Sequence, residues 1–398
     1  MLVPDSAVKQ EAVELLKTLV SIRSVNPPGG EDEIVSVVKK LLAEDEIEST
    51  IVPLEEGRSS LVARVRGRAS GRRQGSIVLC GHLDTVNADE EKWTLPPFSP
   101  RMDGDRVWGL GSADMKGGVA VIMALLMQIV RSGQPPKQDI VLALTADEEY
   151  AYRGAASIAR SGLIDDAEFL LITEPTGGKA YCGQKGELWV EATFSGKAAH
   201  GSMPEQGINS IIPASEFCTD LAEAAQRFEE TPGRGRTSLN IGQIDGGWQV
   251  NIVPDTTRVR IDSRVTSDED KSMVLDLIER LGENAASHVG ARFAYRVYNY
   301  KPPIISDVDN PHLKRFRAAV AGDGRPVPVV EIAPYSTDAV AIVPEIDVPV
   351  VIYGPGDIAQ AHQPDEFIEL ESLYDSLAVI ARFLNMSERD DDMSAKRD

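Results

Sequence analysis

The sequence predicts an α/β fold, with a mostly parallel sheet, helices on both of its faces, and a smaller α+β unit inserted into it. Three observations lead there. Short apolar strands alternate with helical patterns up to Gly186. The order then changes to β-α-β-β-α-β, the pattern of a ferredoxin-like unit with helices on one face of an antiparallel sheet. From Pro302 onward the α/β alternation returns. The expected parts are therefore a first α/β segment at 1–186, an inserted lid at 187–297 and a second α/β segment at 298–398. A charged, disordered tail is expected from about residue 387.

Each element has a local reason. Apolar residues at helical spacing predict a helix over Ser6–Thr18. The run Asn26-Pro27-Pro28-Gly29-Gly30 breaks the chain. Glu31, Asp32 and Glu33 suit the positive end of a second helix, whose apolar face holds Ile34, Val37, Val38, Leu41 and Leu42. Ser60–Val65 and Ser76–Cys80 read as strands, Val119–Val130 as a buried helix, and Ile140–Leu144 and Phe169–Ile172 as short core strands. In the insert, strands are expected at Leu188–Phe194, Ser238–Ile244, Thr257–Val265 and Arg292–Tyr298. Helices are expected there at Ile211–Phe228 and Lys271–Ala286. A strand at Val348–Tyr353 and a helix near Leu370–Leu384 complete the pattern.

Composition narrows the function. A chain of 398 residues is too long for one compact core. Its 42% apolar and 26% charged residues suit a globular protein, and a net charge of −21 removes nucleic acid from the expected partners, because binding a polyanion needs clustered Lys and Arg. The apolar stretch Val119–Val130 is too short to cross a bilayer and stops at Arg131, so no membrane partner is expected. The N-terminus lacks the basic start and apolar core of a signal peptide. Cys80, Cys182 and Cys218 form neither a disulfide framework nor a CxxC pair. A cytoplasmic location is the expectation.

Only five histidines are present, so each can be weighed alone. His82 ends a strand in Gly81-His82-Leu83-Asp84; a carboxylate two residues on can accept one ring N–H and leave the other nitrogen for a metal, or can simply cap a turn. Asp114, in Gly109-Leu-Gly-Ser-Ala-Asp-Met-Lys-Gly-Gly118, is either a ligand or a helix cap. Asp147, Glu148 and Glu149 directly follow a core strand and repel one another unless a cation sits among them, the alternative being a solvated loop. Glu174 and His362 also follow apolar strands. Together, His82, Asp114, Glu149, Glu174 and His362 can converge at one sheet edge, where open α/β folds place ligands. Two imidazoles and three carboxylates suit a pair of Zn²⁺ ions with one carboxylate bridging, and Co²⁺ or Mn²⁺ could replace zinc in such a mixed N/O site.

The motifs Gly81-His-Leu-Asp-Thr-Val86, Gly111-Ser-Ala-Asp-Met-Lys-Gly117, Thr145-Ala-Asp-Glu-Glu149, Thr173-Glu-Pro175, Ala199-His-Gly201 and Asn251-Ile-Val-Pro254 run in order along most of the chain. In them the sequence resembles the dinuclear-zinc peptidases and deacylases that include acetylornithine deacetylase, succinyl-diaminopimelate desuccinylase, aminoacylase and carboxypeptidase G. The segment Gly354–Phe367 is most similar to acetylornithine deacetylases. The resemblance implies a zinc-peptidase-like α/β domain, interrupted by a lid that also dimerises. It implies two Zn²⁺ per chain, one held by His82, Asp114 and Glu174 and the other by Asp114, Glu149 and His362. Asp84 would orient His82, Glu148 would be the general base for a zinc-activated water, and the peptide between Asp114 and Met115 would be cis. His200 would reach the neighbouring subunit's site and stabilise the oxyanion, while Asn251 and Arg264 would touch substrate. A turn Asn and a strand-surface Arg explain the last two equally well. His288 and His312 match no motif and are expected at the surface.

The implied reaction is amide hydrolysis of an N-acyl amino acid by a homodimeric enzyme. A dipeptidase or carboxypeptidase on the same scaffold is the nearest alternative. Tyr150 and Tyr152 stand where relatives often carry a small residue, which puts acetylornithine itself in question as substrate. A non-catalytic relative should have lost a ligand or the base, yet every such position is filled. Gly354-Pro-Gly356-Asp-Ile-Ala359 fits a dinucleotide fingerprint, but Pro364 would break the helix that must follow. No GxSxG, HExxH or Walker A pattern occurs.

Overall fold

A computed structural model describes residues 4–68, 75–322 and 327–385. The tail expected from about residue 387 lies outside them. The chain divides into two compact units: Met1–Gly183 with Ile305–Val330 and Thr337–Asp398, and Gln184–Ile304 with Glu331–Ser336. The smaller unit is therefore longer at its C-terminal end than the predicted insert, and it takes in the short strand Glu331–Ala333 as well.

In the larger unit, four parallel strands lie side by side in the order Asp139–Thr145, Ser76–His82, Ala167–Pro175 and Val350–Gly354. Ser76–His82 is buried along its whole length, as a strand covered by helices on both faces must be. Alternate residues serve opposite faces. Ile77, Leu79, Leu142, Phe169, Leu171 and Val351 join a core with helices α1 (Ser6–Val20), α2 (Glu31–Glu44), α3 (Gly117–Arg131), α7 (Pro311–Ala321) and α9 (Leu370–Asn385). Val78, Cys80, Val141 and Ala143 point away from that core, toward the face where α4 (Arg153–Arg160) packs on α8 (Ala339–Ile346). Two antiparallel strands, Arg58–Val65 and Ser49–Glu55, extend the Asp139–Thr145 edge.

The α3 prediction holds, with a difference. The helical stretch runs back to Ser112, so Ser112–Arg131 is long and apolar enough to cross a membrane, yet 89% of its most apolar window is buried inside the fold. It is the central core helix. Cys80 and Cys182 are buried thiols and all three cysteines are free.

The smaller unit is a four-stranded antiparallel sheet in the order Ser238–Gly246, Thr256–Val265, Gly186–Ser195 and Arg292–Lys301. Helices α5 (Ile211–Ala225) and α6 (Asp268–Val289) pack together over it, and Phe194, Phe217, Val259 and Ile278 lie in the core between. The β-α-β-β-α-β order and this strand order are ferredoxin-like. His288 is at the surface and pairs with Glu216 at 2.8 Å. His312 is not: it is 8% exposed and stacks on Phe169, because α7 turns that face into the core.

Candidate metal centre

The four parallel strands end on one edge, and the chain leaving each delivers part of a single cluster. His82 is the last residue of its strand. Its Nδ1 lies 2.9 Å from the Asp84 carbonyl oxygen, while Nε2 faces Asp114 Oδ1 at 3.1 Å and Glu174 Oε1 at 3.9 Å. A carbonyl only accepts, so Nδ1 carries hydrogen and Nε2 is the nitrogen offered to a metal. The sequence assigns the orienting contact to the Asp84 carboxylate, but its nearer oxygen stands 3.8 Å from Nδ1. That carboxylate instead accepts the main-chain N–H groups of Glu148 (3.1 Å) and Glu149 (3.2 Å) and the Asn26 amide (2.9 Å).

Asp114 stands in the irregular turn Ser112–Lys116 before α3, and its peptide bond to Met115 is cis. The turn is held from below: the buried Lys116 ammonium donates to the carbonyls of Leu19 (3.0 Å) and Ile22 (2.9 Å) at the end of α1. Gly118 brings α3 close to the strand bearing Glu174, since a Cβ there would lie 2.1 Å from the Thr173 carbonyl oxygen. Asp114 Oδ2 is 3.6 Å from His362 Nε2, which is 3.0 Å from Glu149 Oε2. Asp114 thus stands between the two imidazoles. Ligating atoms of His82, Asp114 and Glu149 lie within 4.8 Å of one another.

The electrostatics fit cations. Burial lifts the Glu148 and Glu174 carboxyls well above the usual range, and each is raised further by neighbouring carboxylates, against the pull of His82. Glu149 is raised by burial and by Asp114. Burial would also raise Asp114, but its hydrogen bond to His82 and the charges of both histidines hold it low. Burial would lower His82, yet Asp114, Glu174 and Glu148 hold it well above its ordinary value. The hydrogen bond to Glu149 raises the more exposed His362 to about 9. Among the described residues no Lys or Arg pairs with Asp114, Glu148, Glu149 or Glu174. Four buried or half-buried acids with only imidazoles for company match the donor set of a divalent-metal site.

A second layer escapes sequence reading. Asp147 has a left-handed backbone (φ 65) and is fully buried. Its carboxylate meets Arg58 (3.0 Å), Arg153 (2.6 Å) and the Asn26 amide (3.0 Å), and Arg58 also pairs with buried Glu31. Asp338 is a further buried acid, raised to about 7 chiefly by burial; Oδ2 accepts from Thr145 at 2.5 Å and Oδ1 has no hydrogen-bond partner among the described residues. In sequence Asp338 precedes α8 and looks like a helix cap, which is the only signal it gives.

The remaining expected site residues lie in the smaller unit. His200 is exposed, and its Nδ1 accepts from the Ser202 N–H at 3.1 Å, which places the neutral ring's hydrogen on Nε2. Asn251 is beside it, accepting from Gly201 N–H at 2.7 Å. Arg264 is engaged within its own unit, by Glu187 at 3.2 Å and Asp262 at 3.0 Å. Tyr150 is 69% exposed directly after Glu149, whereas Tyr152 starts α4 with a left-handed backbone.

The model of peptidase family M20/M25/M40 matches residues 78–386. Over 389 residues the chain is 29% identical to a protein named probable succinyl-diaminopimelate desuccinylase from Staphylococcus epidermidis, covering 90% of this chain and 93% of that one. It is 28% identical to an acetylornithine deacetylase from Photorhabdus laumondii, covering 94% and 96%. A solved tripeptidase from Staphylococcus aureus shares the fold, with a TM-score of 0.78 at 22% identity over 96% of this chain and 99% of that one. The chain belongs to peptidase family M20/M25/M40, a family of metal-dependent hydrolases of amide or peptide bonds.

Proposed function

We propose that this enzyme hydrolyses the amide bond of small N-acyl amino acids, in the manner of acetylornithine deacetylase and succinyl-diaminopimelate desuccinylase. The observation that carries the reading is Asp114 standing between His82 and His362, with Glu149 and Glu174 beside it and Glu148 buried with no Lys or Arg partner among the described residues. His82, Asp114 and Glu174 would hold one Zn²⁺, and Asp114, Glu149 and His362 the other, with Co²⁺ or Mn²⁺ as possible replacements. Bound there, the ions supply a water of lowered pKa and a Lewis acid for the amide carbonyl. Glu148 would take a proton at its carboxylate from the attacking water and return it to the leaving amine. Asp84 holds the main chain of Glu148 and Glu149 in place and, through its carbonyl, the His82 ring.

The Nε2–H of His200 is a donor for the developing oxyanion, a role worth about 3–4 kcal/mol per donor. Asn251 accompanies it, and Arg264 contacts substrate only by sharing itself with Glu187 and Asp262. The unit bearing His200 ends in the strand Ser238–Gly246, an exposed edge with Ile244 53% exposed, as suits pairing in a homodimer. In that dimer each His200 serves the partner chain. Mixed dimers of His200→Ala and Glu148→Ala chains should then regain one working site of two; mixed dimers without activity would contradict it. We assign the enzyme to the cytoplasm, consistent with its free thiols.

Likeness to a tripeptidase keeps a second reading open, that the substrate is a dipeptide or the C-terminal residue of a peptide. A substrate panel separates the two. The deacylase reading predicts turnover of N-acetyl- or N-succinyl-amino acids at least tenfold above dipeptides; the reverse order favours the peptidase.

A further inference from the structure

We propose that Glu366 is a positioning residue that couples the two halves of the metal centre, fixing the main chain of Asp114 against the loop that carries His362. The inference rests on the metal-centre reading above and deepens it.

Glu366 lies four residues after His362 and is 1% exposed. Its carboxylate makes no ion pair among the described residues. It accepts three main-chain N–H groups instead: Gly111 on Oε2 at 2.8 Å, and Ala113 and Asp114 on Oε1 at 2.7 and 3.0 Å. Its carbonyl accepts a fourth, from Gly109 at 2.9 Å. Gly111, with φ 79, turns the N–H groups of this segment inward into a nest that fits an anion. A buried carboxylate answered only by N–H dipoles is a costly way to hold a loop, because an apolar side chain would avoid the desolvation.

The connectivity suggests what that cost secures. From His362 the chain runs to Glu366; from Glu366 Oε1 the contact passes to Asp114 N–H; and from Asp114 Oδ2 it returns to His362 Nε2 at 3.6 Å. The circuit is closed. It fixes how far the Asp114 carboxylate stands from His362. His362 and Asp365 both have left-handed backbones (φ 61 and 57), conformations the loop would not keep unaided. Asp365 holds the other side, accepting from Thr94 N–H at 2.8 Å and Thr94 Oγ1 at 2.6 Å. Two consecutive acids thus clamp the His362 loop to two different segments, and only Glu366 reaches the main chain of a ligand.

Glu366→Gln keeps the shape but turns a donor toward one of the three N–H groups. Glu366→Asp keeps the charge but is one methylene too short. Both are made in the full chain, stripped of metal, and titrated with Co²⁺ by calorimetry and visible absorption, alongside thermal unfolding of the stripped protein. Residues that hold a ligand in place typically change metal affinity about 10–100-fold, so the Co²⁺ ion of the Asp114, Glu149 and His362 set should weaken by that factor, and by more than the ion of the His82, Asp114 and Glu174 set. The absorption spectrum of the weakened site should change, and the unfolding temperature of the stripped protein should stay close to the parent's. If Glu366→Gln does not fold, Glu366→Asp decides by the same two readouts. Unchanged affinity for both ions, or a loss of thermal stability with affinities unchanged, would overturn the proposal by leaving Glu366 a purely structural brace. A parent protein that binds fewer than two ions would overturn the metal-centre reading itself, and this inference with it.

Discussion

Glu148 and Glu149 are adjacent carboxylates with opposite surroundings, and that difference predicts different failures. Glu149 Oε2 is 3.0 Å from His362 Nε2 and lies within ligating distance of His82 and Asp114, whereas Glu148 is buried with its carboxyl free of any ion pair among the described residues. Glu148→Ala should therefore retain both metals by elemental analysis and lose nearly all turnover, roughly the 10²–10⁴-fold or more that a positioned acid–base contributes. Glu149→Ala should lose a metal. Swapped phenotypes would reverse the assignment. At this scale the cluster of His82, Asp114, Glu149, Glu174 and His362 was legible because His, Asp and Glu at strand ends have few other uses in combination. Asp84 was legible as important and misread in detail, because sequence spacing does not tell a carboxylate from its own carbonyl. Asp338, Asn26 and Glu366 were not legible as site residues, since each acts through partners far away in sequence: Thr145, Asp84 and Asp114 respectively.

At the scale of elements, the loop after Asp139–Thr145 is held by a buried charge network rather than by packing. Arg58, on the neighbouring antiparallel strand, pairs with Glu31 and Asp147 while its side chain is 6% exposed. Arg58→Met should leave buried Glu31 without its cation and Asp147 with Arg153 alone, and cost about 3–5 kcal/mol of stability, read as a lower denaturant midpoint. An Arg58→Met protein as stable as the parent would show that the network contributes little. The core strands and helices were readable from apolar runs and from acidic helix starts. The strand Ser49–Glu55 was not, because it is a sheet edge with six of seven positions at least partly exposed and a proline at its irregularity. Helix α8 carries Pro344 and only eight residues, and α4 only eight, too short for periodicity to show. Helix α7 is not among the expected elements either, although Asn310-Pro311 marks its start: the Asn310 side chain caps His312 and Leu313.

For the whole molecule, protons and metal ions compete for the same atoms. His362 sits near 9 against an ordinary 6.5, so the stability it lends the metal-stripped protein is complete below about pH 6.5 and is lost as pH rises through about 9. Glu148 and Glu174, lifted by burial above their ordinary 4.5, act in the same direction, since the folded chain keeps protons that the unfolded chain has released. The unfolding temperature of the stripped protein should thus fall from pH 6.5 to pH 9. The stabilisation gained on adding Zn²⁺ should rise over the same interval, because the ligands bind deprotonated. A stripped protein that grows more stable toward pH 9 would contradict this assignment of charges.

The central claim is that His82, Asp114, Glu149, Glu174 and His362 form a two-ion centre on which hydrolysis depends. It is tested most directly by removing metal with a chelator, verifying its absence by elemental analysis, and following amide hydrolysis as Zn²⁺ or Co²⁺ is returned. The account predicts no activity in the stripped protein and recovery that is complete at about two ions per chain. Full activity after verified removal of metal would contradict it.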